Sequence, residues 1–233
     1  MYTPMLSMGM IASAGRSGGA FANSLLLEMN GADNSTIFTD SSVNNHGTVV
    51  YGDAKISTSW SIFGGAGGLL DGNGDYLEIA DHPSLRLGVI DWTTALYIRP
   101  LALPSTSAGA GVIGKRDQTG NSADSWMLIF NQTTGTLSLV ELFGGGFVSN
   151  TMSESLSLST NYHIELSRSV NTIRGFVNGV QRLSYTTSHN FDGGTNPISI
   201  GRNATGYLNA HLDYVSITKG LALHTADFTP PGI

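Results

Sequence analysis

The chain of 233 residues contains no cysteine. That excludes a disulfide scaffold, thiolate metal sites and cysteine nucleophiles. Charge is also scarce: only 12% of residues are charged, against roughly 25% in ordinary soluble domains. Basic residues are fewer than acidic ones, 11 Lys+Arg against 17 Asp+Glu, for a formal net charge of −6. Nucleic-acid binding needs a concentrated basic face, so no nucleic-acid partner is expected. No apolar run reaches the roughly 18 residues of a membrane-spanning helix, and helical periodicity is nearly absent. Catalytic signatures are missing too. There is no G-x-S-x-G elbow, and the six histidines form no H-E-x-x-H or H-x-H arrangement. The glutamates are Glu28, Glu78, Glu141, Glu154 and Glu165, and none belongs to an E-x-D-x-E run that would place several carboxylates on one strand face. Glycoside hydrolysis would then need an acidic pair drawn from distant strands.

What the chain has instead is glycine, 30 residues of it, among frequent Ser, Thr and Asn. This composition predicts many turns and short strands. Short apolar or alternating runs occur at 24–29, 48–51, 68–70, 76–80, 93–99, 111–115, 126–130 and 136–142. They continue at 163–168, 172–177, 181–185, 198–201 and 211–218. Asn178-Gly179 separates two of these runs and is the strongest hairpin signal in the chain. The regular spacing predicts an all-β, antiparallel sandwich or jelly roll. Residues 1–22 read as a separate N-terminal arm, since the first cation is Arg16 and Ser7 and Gly9 interrupt the apolar stretch, unlike a secretory signal. Gly15 to Gly19 reads as a hinge. Residues 23–233 read as one domain.

Four local patterns carry candidate chemistry. Gly64-Gly65-Ala66-Gly67-Gly68 lacks the following helix that a phosphate cradle requires, so it predicts close backbone approach or a bulge at a sheet rim. Asp71-Gly72-Asn73-Gly74-Asp75 sets oxygens at alternate positions, as calcium loops do. Its sixth position is Tyr76 where an EF-hand needs Gly, and its twelfth is His82 where it needs Glu, so a hairpin turn is the simpler reading. Sugar binding uses exposed aromatic rings among polar groups. Trp60, in Ser57-Thr58-Ser59-Trp60-Ser61, is the best candidate for such a ring, and Tyr207 is a second, while Trp92 and Trp126 read as core. Sequons occur at Asn34, Asn131 and Asn203, a number that chance explains in a chain rich in Asn and Thr.

An ordered set of segments resembles the laminin-G-like domains of the concanavalin A-like lectin/glucanase superfamily, in the version common in bacteriophage structural proteins. The set opens with Leu25-Leu26-Leu27-Glu28-Met29-Asn30-Gly31 and Phe38-Thr39-Asp40-Ser41-Ser42. It runs through Ile62-Phe63-Gly64-Gly65-Ala66, Leu70-Asp71-Gly72, Gly74-Asp75-Tyr76-Leu77, Asp91-Trp92-Thr93 and Ile98-Arg99-Pro100. It closes with Phe176-Val177-Asn178-Gly179, the run from Leu212-Asp213-Tyr214 to Lys219-Gly220, and Asp227-Phe228-Thr229-Pro230-Pro231. The resemblance implies a jelly-roll sandwich of two antiparallel sheets, one of them concave. It also implies a structural calcium, with Asp213, Glu28 and Asp40 as candidate ligands; the alternative for Asp213 is hydrogen bonding to backbone near the sheet rim. The chain departs from the family at Thr94-Ala95-Leu96-Tyr97 and at Leu223-His224. The function implied is a non-enzymatic virion structural protein of the capsid-decoration or head-fibre type, on the outer surface of the particle. Met5, Leu6, Met8, Met10 and Ile11 of the arm would contact other virion subunits, in a homo-oligomer or larger assembly without membrane insertion. Host-surface glycans are the expected ligands. A phage tail adhesin is the alternative, and a glycan-cleaving enzyme stands behind both.

Overall fold

A computed structural model describes residues 22–116, 124–143 and 146–233. The arm contacts expected at Met5, Leu6, Met8, Met10 and Ile11, and the hinge at 15–19, lie outside the described residues. Among the described residues the chain forms fifteen strands and one short 3-10 turn. The strands are β1 (Leu25–Leu27), β2 (Thr48–Tyr51), β3 (Lys55–Ser57), β4 (Gly67–Asp71), β5 (Tyr76–Ile79), β6 (Trp92–Pro100), β7 (Ala110–Lys115) and β8 (Ser125–Phe130). They continue as β9 (Thr136–Phe143), β10 (Gly146–Ser155), β11 (Tyr162–Ser169), β12 (Thr172–Val177), β13 (Val180–Thr186), β14 (Ile198–Ile200) and β15 (Asn209–Lys219).

The first sheet runs β13-β12-β11-β6-β15-β4-β3, with β1 also paired to β15. The second runs β10-β9-β8-β7-β14-β5-β2. Each described pairing is antiparallel, so the expected two-sheet sandwich is present. The core lies between the sheets. Leu96 and Ile98 of β6 and Leu212, Val215 and Ile217 of β15 meet Trp126, Leu128 and Phe130 of β8 and Leu137 and Leu139 of β9. Trp92 and Trp126, both fully buried, stack with their ring centroids 6.2 Å apart.

Period-two alternation then fixes what faces outward. With Trp126, Leu128 and Phe130 in the core, Met127 and Ile129 point to the other side of β8. There they join Val140 and Leu142 of β9 in a second, separate apolar cluster. This cluster lies on the outer face of the second sheet.

Turn chemistry explains the connections. Asn178 and Gly179 both adopt positive φ, 51° and 76°, as a two-residue type I′ hairpin requires. Gly179 has a further reason to be glycine: a Cβ there would sit 1.9 Å from the Phe228 carbonyl oxygen. The run at 71–75 is a corner rather than a hairpin, because it joins β4 of the first sheet to β5 of the second. The glycine stretch at 64–68 allows close approach. A Cβ on Gly67 would lie 3.0 Å from the Trp60 ring and from its carbonyl oxygen.

Two strands have no sequence counterpart above. β3 is three residues between turns. β10 is ten residues long, but among its side chains only Met152 is buried. As an edge strand facing solvent, it shows no apolar alternation to read.

Candidate functional site

The outer face of the first sheet is closed. Asp213 and His211 of β15, Tyr97 of β6 and His163 and Glu165 of β11 all point outward there, since their neighbours Leu212, Leu96, Ile98, Ile164 and Leu166 lie in the core. Residues 223–231 lie across them. Phe228 packs against His163 and Phe176 and stacks on His224 at 3.5 Å. His224 Nδ1 lies 2.9 Å from Glu165 Oε2, and the Tyr97 hydroxyl donates to the Pro231 carbonyl at 2.5 Å. Burial holds the Glu165 carboxyl above the usual range, against the pull of His224. At Leu223-His224, the departure from the family pattern, His224 packs on this face while Leu223 is exposed.

Trp60 belongs to the same closed face, which corrects the expectation of an exposed ring. It is only 7% exposed, packs against His211 with ring centroids 5.3 Å apart and tilted 31°, and donates Nε1–H to Asn161 Oδ1 at 2.9 Å. The physical reason is the missing side chain at Gly67, which lets the indole lie down on β4. The polar neighbours that suggested exposure are turned on each other, with the Ser57 and Ser59 hydroxyls 2.8 Å apart.

The outer face of the second sheet carries an open groove. One half, about 410 Å³, is lined by Ser107, Asn131, Gln132, Thr133, Thr134, Thr136, Ser138, Ser149 and Thr151. The adjoining half, about 290 Å³, shares Ser107, Asn131 and Ser149 and adds Ala108, Arg116, Ile129, Val140, Leu142 and Phe147. The first half thus offers only hydroxyls and amides; the second offers an apolar floor, one exposed ring (Phe147, 68% exposed) and one cation. Among the described lining residues there is no carboxylate.

The polar half is ordered by its own hydrogen bonds. Asn131 Nδ2 donates to the Thr136 carbonyl at 3.0 Å and to Ser138 Oγ at 2.9 Å. Ser138 Oγ lies 2.7 Å from Thr151 Oγ1, and Thr134 Oγ1 lies 2.7 Å from Thr136 Oγ1. A hydroxyl that donates to one neighbour keeps acceptor capacity for another. The row is fixed in place before any ligand arrives.

The candidate metal ligands are divided. Asp40 is buried, and its two oxygens accept from Leu26 N, Ser42 N, Ser42 Oγ and His46 N at 2.8–2.9 Å. Four donors fill the roughly four lone-pair sites of a carboxylate, so Asp40 does not fit a calcium shell. Glu28 Oε2 accepts from Ser41 Oγ at 3.0 Å. Asp213 is fully buried, and its Oδ2 accepts from Ile62 N at 2.8 Å and Phe63 N at 2.9 Å. Its Oδ1 is buried without a hydrogen-bond partner. Burial pushes the Asp213 carboxyl up to about 6; the Phe63, Ile62 and Tyr214 amides pull it down and the Glu28 charge adds to the rise. Of the expected set, Asp213 is the residue with a buried oxygen left for a cation, while Glu28 acts on it through its charge.

Another acidic group sits at the corner between the sheets. Carboxylate oxygens of Asp53, Asp71 and Asp75 lie within 4.8 Å of one another. Asp75 is buried and accepts the Asp53 amide at 2.7 Å and the Asp71 amide at 3.0 Å. Its carboxyl is raised, chiefly by burial. Asp71 and Asp75 were visible as an alternating run; Asp53 arrives from the β2–β3 turn.

Tyr207 is half-buried outside the groove, 6.2 Å from Tyr76 on the same sheet face. The groove itself escaped sequence reading. Its hydroxyls come from two strands and two loops, and the only local trace is the alternation of Thr136, Ser138 and Val140 with core leucines.

Solved structures of the same fold are numerous. The binding domain of Paraclostridial Mosquitocidal Protein 1 superposes with TM-score 0.69 at 16% identity, over 87% of this chain and 50% of that one. Domain 4 of AbnA, a GH43 extracellular arabinanase from Geobacillus stearothermophilus, solved with arabinotriose, gives 0.67 at 16% over 87% and 95%. The binding domain of botulinum neurotoxin DC, solved with SialylT, gives 0.63 at 12% over 87% and 48%. The chain spans about half the length of these toxin binding-domain structures. At such identities the likeness establishes the fold alone. No curated protein sequence matches significantly. A laminin-G-type family model matches residues 71–226, two thirds of the sequence, and the chain therefore belongs to the concanavalin A-like lectin/glucanases superfamily.

Proposed function

We propose that the chain is a non-catalytic glycan-binding domain whose ligand lies in the groove across β8, β9 and β10. The observation that carries this reading is the division of the groove into a hydroxyl-and-amide half and an apolar half. A sugar presents the same two chemistries: C–H faces that rest on apolar or aromatic surface, and hydroxyls that need donors and acceptors together. Hydrolysis needs two carboxyl groups about 5–10 Å apart, and the described lining offers none. The arabinotriose and SialylT complexes of similar folds support a saccharide as the occupant.

Titration calorimetry with arabinotriose and with the SialylT glycan, preceded by a glycan array, tests the reading. Wild type is expected to bind at least one array glycan. Phe147→Ala should weaken that binding about tenfold, the order of one lost stacking contact, without lowering the melting temperature. An array without binders, or Phe147→Ala binding as tightly as wild type, overturns the groove reading.

The finer reading is display on the outer surface of a virion, as a capsid decoration or head fibre anchored by residues 1–22. Its support is the resemblance to phage structural domains. Labelling the C-terminus and imaging the native particle tests it. Icosahedrally spread label supports decoration, label on the tail makes the chain an adhesin, and an unlabelled particle removes the virion role.

A further inference from the structure

The outer face of the second sheet has a second feature, at the opposite edge from β10. Leu77 and Ile79 of β5 are core residues, so Tyr76 and Glu78 point outward. The register sets Tyr51 of β2 directly opposite Tyr76. Their rings stack at 4.2 Å, 7° from parallel. Arg202, just beyond β14, brings its guanidinium carbon to 4.0 Å from the Tyr76 ring centroid. Its Nη2 donates to Glu78 Oε1 at 3.1 Å. Two planar groups this close to one ring have room only on opposite faces. The layers therefore run Arg202, Tyr76, Tyr51. Tyr76 is sandwiched and 9% exposed, whereas Tyr51 is 37% exposed and keeps an outer face. Tyr207 stands beside the stack, tilted 31° to Tyr76.

A ridge separates this stack from the groove. Asn203 Nδ2 donates to the carbonyls of Ala108 at 2.8 Å and Gly109 at 3.0 Å, tying the loop that carries Arg202 and Tyr207 to the loop at 106–109. Ser107 and Ala108 line the groove on the far side.

We propose that the outer face of Tyr51, backed by Tyr76 and Arg202, is a second carbohydrate subsite that takes one pyranose ring. Two features of the stack support this. The platform is held flat by two layers behind it, so binding orders no loose side chain. Tyrosine joins an apolar body to a polar tip, which suits a sugar's C–H face and its hydroxyl rim. The pairing of Tyr51 with Tyr76 also stabilises an edge strand, and the test separates that structural role from binding. The proposal stands independently of the groove reading. If both hold, a glycan long enough to cross the ridge engages two points of one face.

The probe is methyl β-D-galactopyranoside, whose axial O4 leaves a one-sided C–H face. Amide chemical shifts are followed by NMR at up to about 50 mM sugar, the range of a millimolar, few-contact site. Wild type should show saturable shifts at β2 and β5. Tyr51→Ala should weaken binding at least tenfold, Tyr51→Phe should stay within about twofold, and Phe147→Ala should leave these shifts unchanged. Tyr51→Thr, which keeps strand preference, replaces Tyr51→Ala if that variant does not fold. Wild type without saturable shifts here, retained binding in Tyr51→Ala, or loss of these shifts in Phe147→Ala overturns the proposal. That last result places the sugar in the groove alone and leaves the groove reading standing.

Discussion

Replacing Arg168 by methionine is expected to lower the unfolding free energy by about 4 kcal/mol, the size seen when a buried, fully bonded charge is removed from its partners. Arg168 ends the inward-facing row Ile164, Leu166, Arg168 of β11 and is completely buried. Its Nε donates to the Val170 carbonyl at 2.9 Å, Nη1 to the His189 carbonyl at 2.6 Å and Nη2 to Asn171 Oδ1 at 3.2 Å. The guanidinium also lies over the Phe191 ring at 5.6 Å. One side chain thus ties the β11–β12 turn to the segment leading into β14. Methionine fills much of the volume but leaves those carbonyls unsatisfied, and each such group costs about 1–3 kcal/mol. The turn is strained already. Val170 is β-branched yet adopts φ 57°, held by its amide donating to Asp91 Oδ1 at 2.7 Å. Urea unfolding reads the effect as a fall in midpoint with an unchanged slope. Arg168→Lys keeps the charge but loses the planar fork, and should recover less than half of the loss. An Arg168→Met midpoint equal to wild type would mean that these loops are held by packing alone.

The fold was legible where local chemistry and alternation agree. β2 and β12 have the bounds the sequence suggests, and Asn178-Gly179 turns as its residue types demand. Trp92, opening an alternating strand, and Trp126, opening the apolar run Trp-Met-Leu-Ile-Phe, are both core. Legibility fails where a tertiary partner decides exposure. Nothing local to Ser57-Thr58-Ser59-Trp60 announces that Gly67, on the next strand, makes a bed for the indole. Nothing in Gly146–Ser155 announces a strand, since pairing with β9 supplies the order and solvent meets most of its side chains. The groove is the same problem enlarged. Asn131, Ser138, Ser149 and Thr151 read singly as loop or solvent-facing residues and become a row only when β8, β9 and β10 lie side by side. The Tyr51–Tyr76 stack depends on register, and Arg202 reaches it from far along the chain.

Two buried groups on the closed face should oppose each other as pH changes. Asp213 has a carboxyl pushed up to about 6 from 3.8, chiefly by burial. The folded state therefore holds a proton there that the unfolded state has released, and stability falls as pH rises from about 4 to about 6. A shift of this size corresponds to about 3 kcal/mol. His163, 6% exposed between Tyr97 and Phe228, is pushed down to about 4 from 6.5, again by burial first and the nearby His224 second. Here the unfolded state binds the extra proton, so stability falls as pH drops from about 6.5 to about 4, by a similar amount. The two slopes nearly cancel in the wild type. Single variants expose them. Asp213→Asn keeps an oxygen for the Ile62 and Phe63 amides and should gain about 2 kcal/mol at pH 7.5, after the cost of burying its own NH₂, with no gain at pH 4. His163→Phe keeps the ring packing and should gain at pH 4 and change little at pH 7.5. Urea unfolding of both variants across this range checks the signs. Calcium separates the two roles open to Asp213. A cation on Oδ1 would offset the burial of the charge, so millimolar calcium should raise the wild-type melting temperature at pH 7.5 and leave Asp213→Asn unmoved. Equal melting with and without calcium assigns Asp213 to holding the 62–63 backbone, and the raised carboxyl is then the cost of that hold.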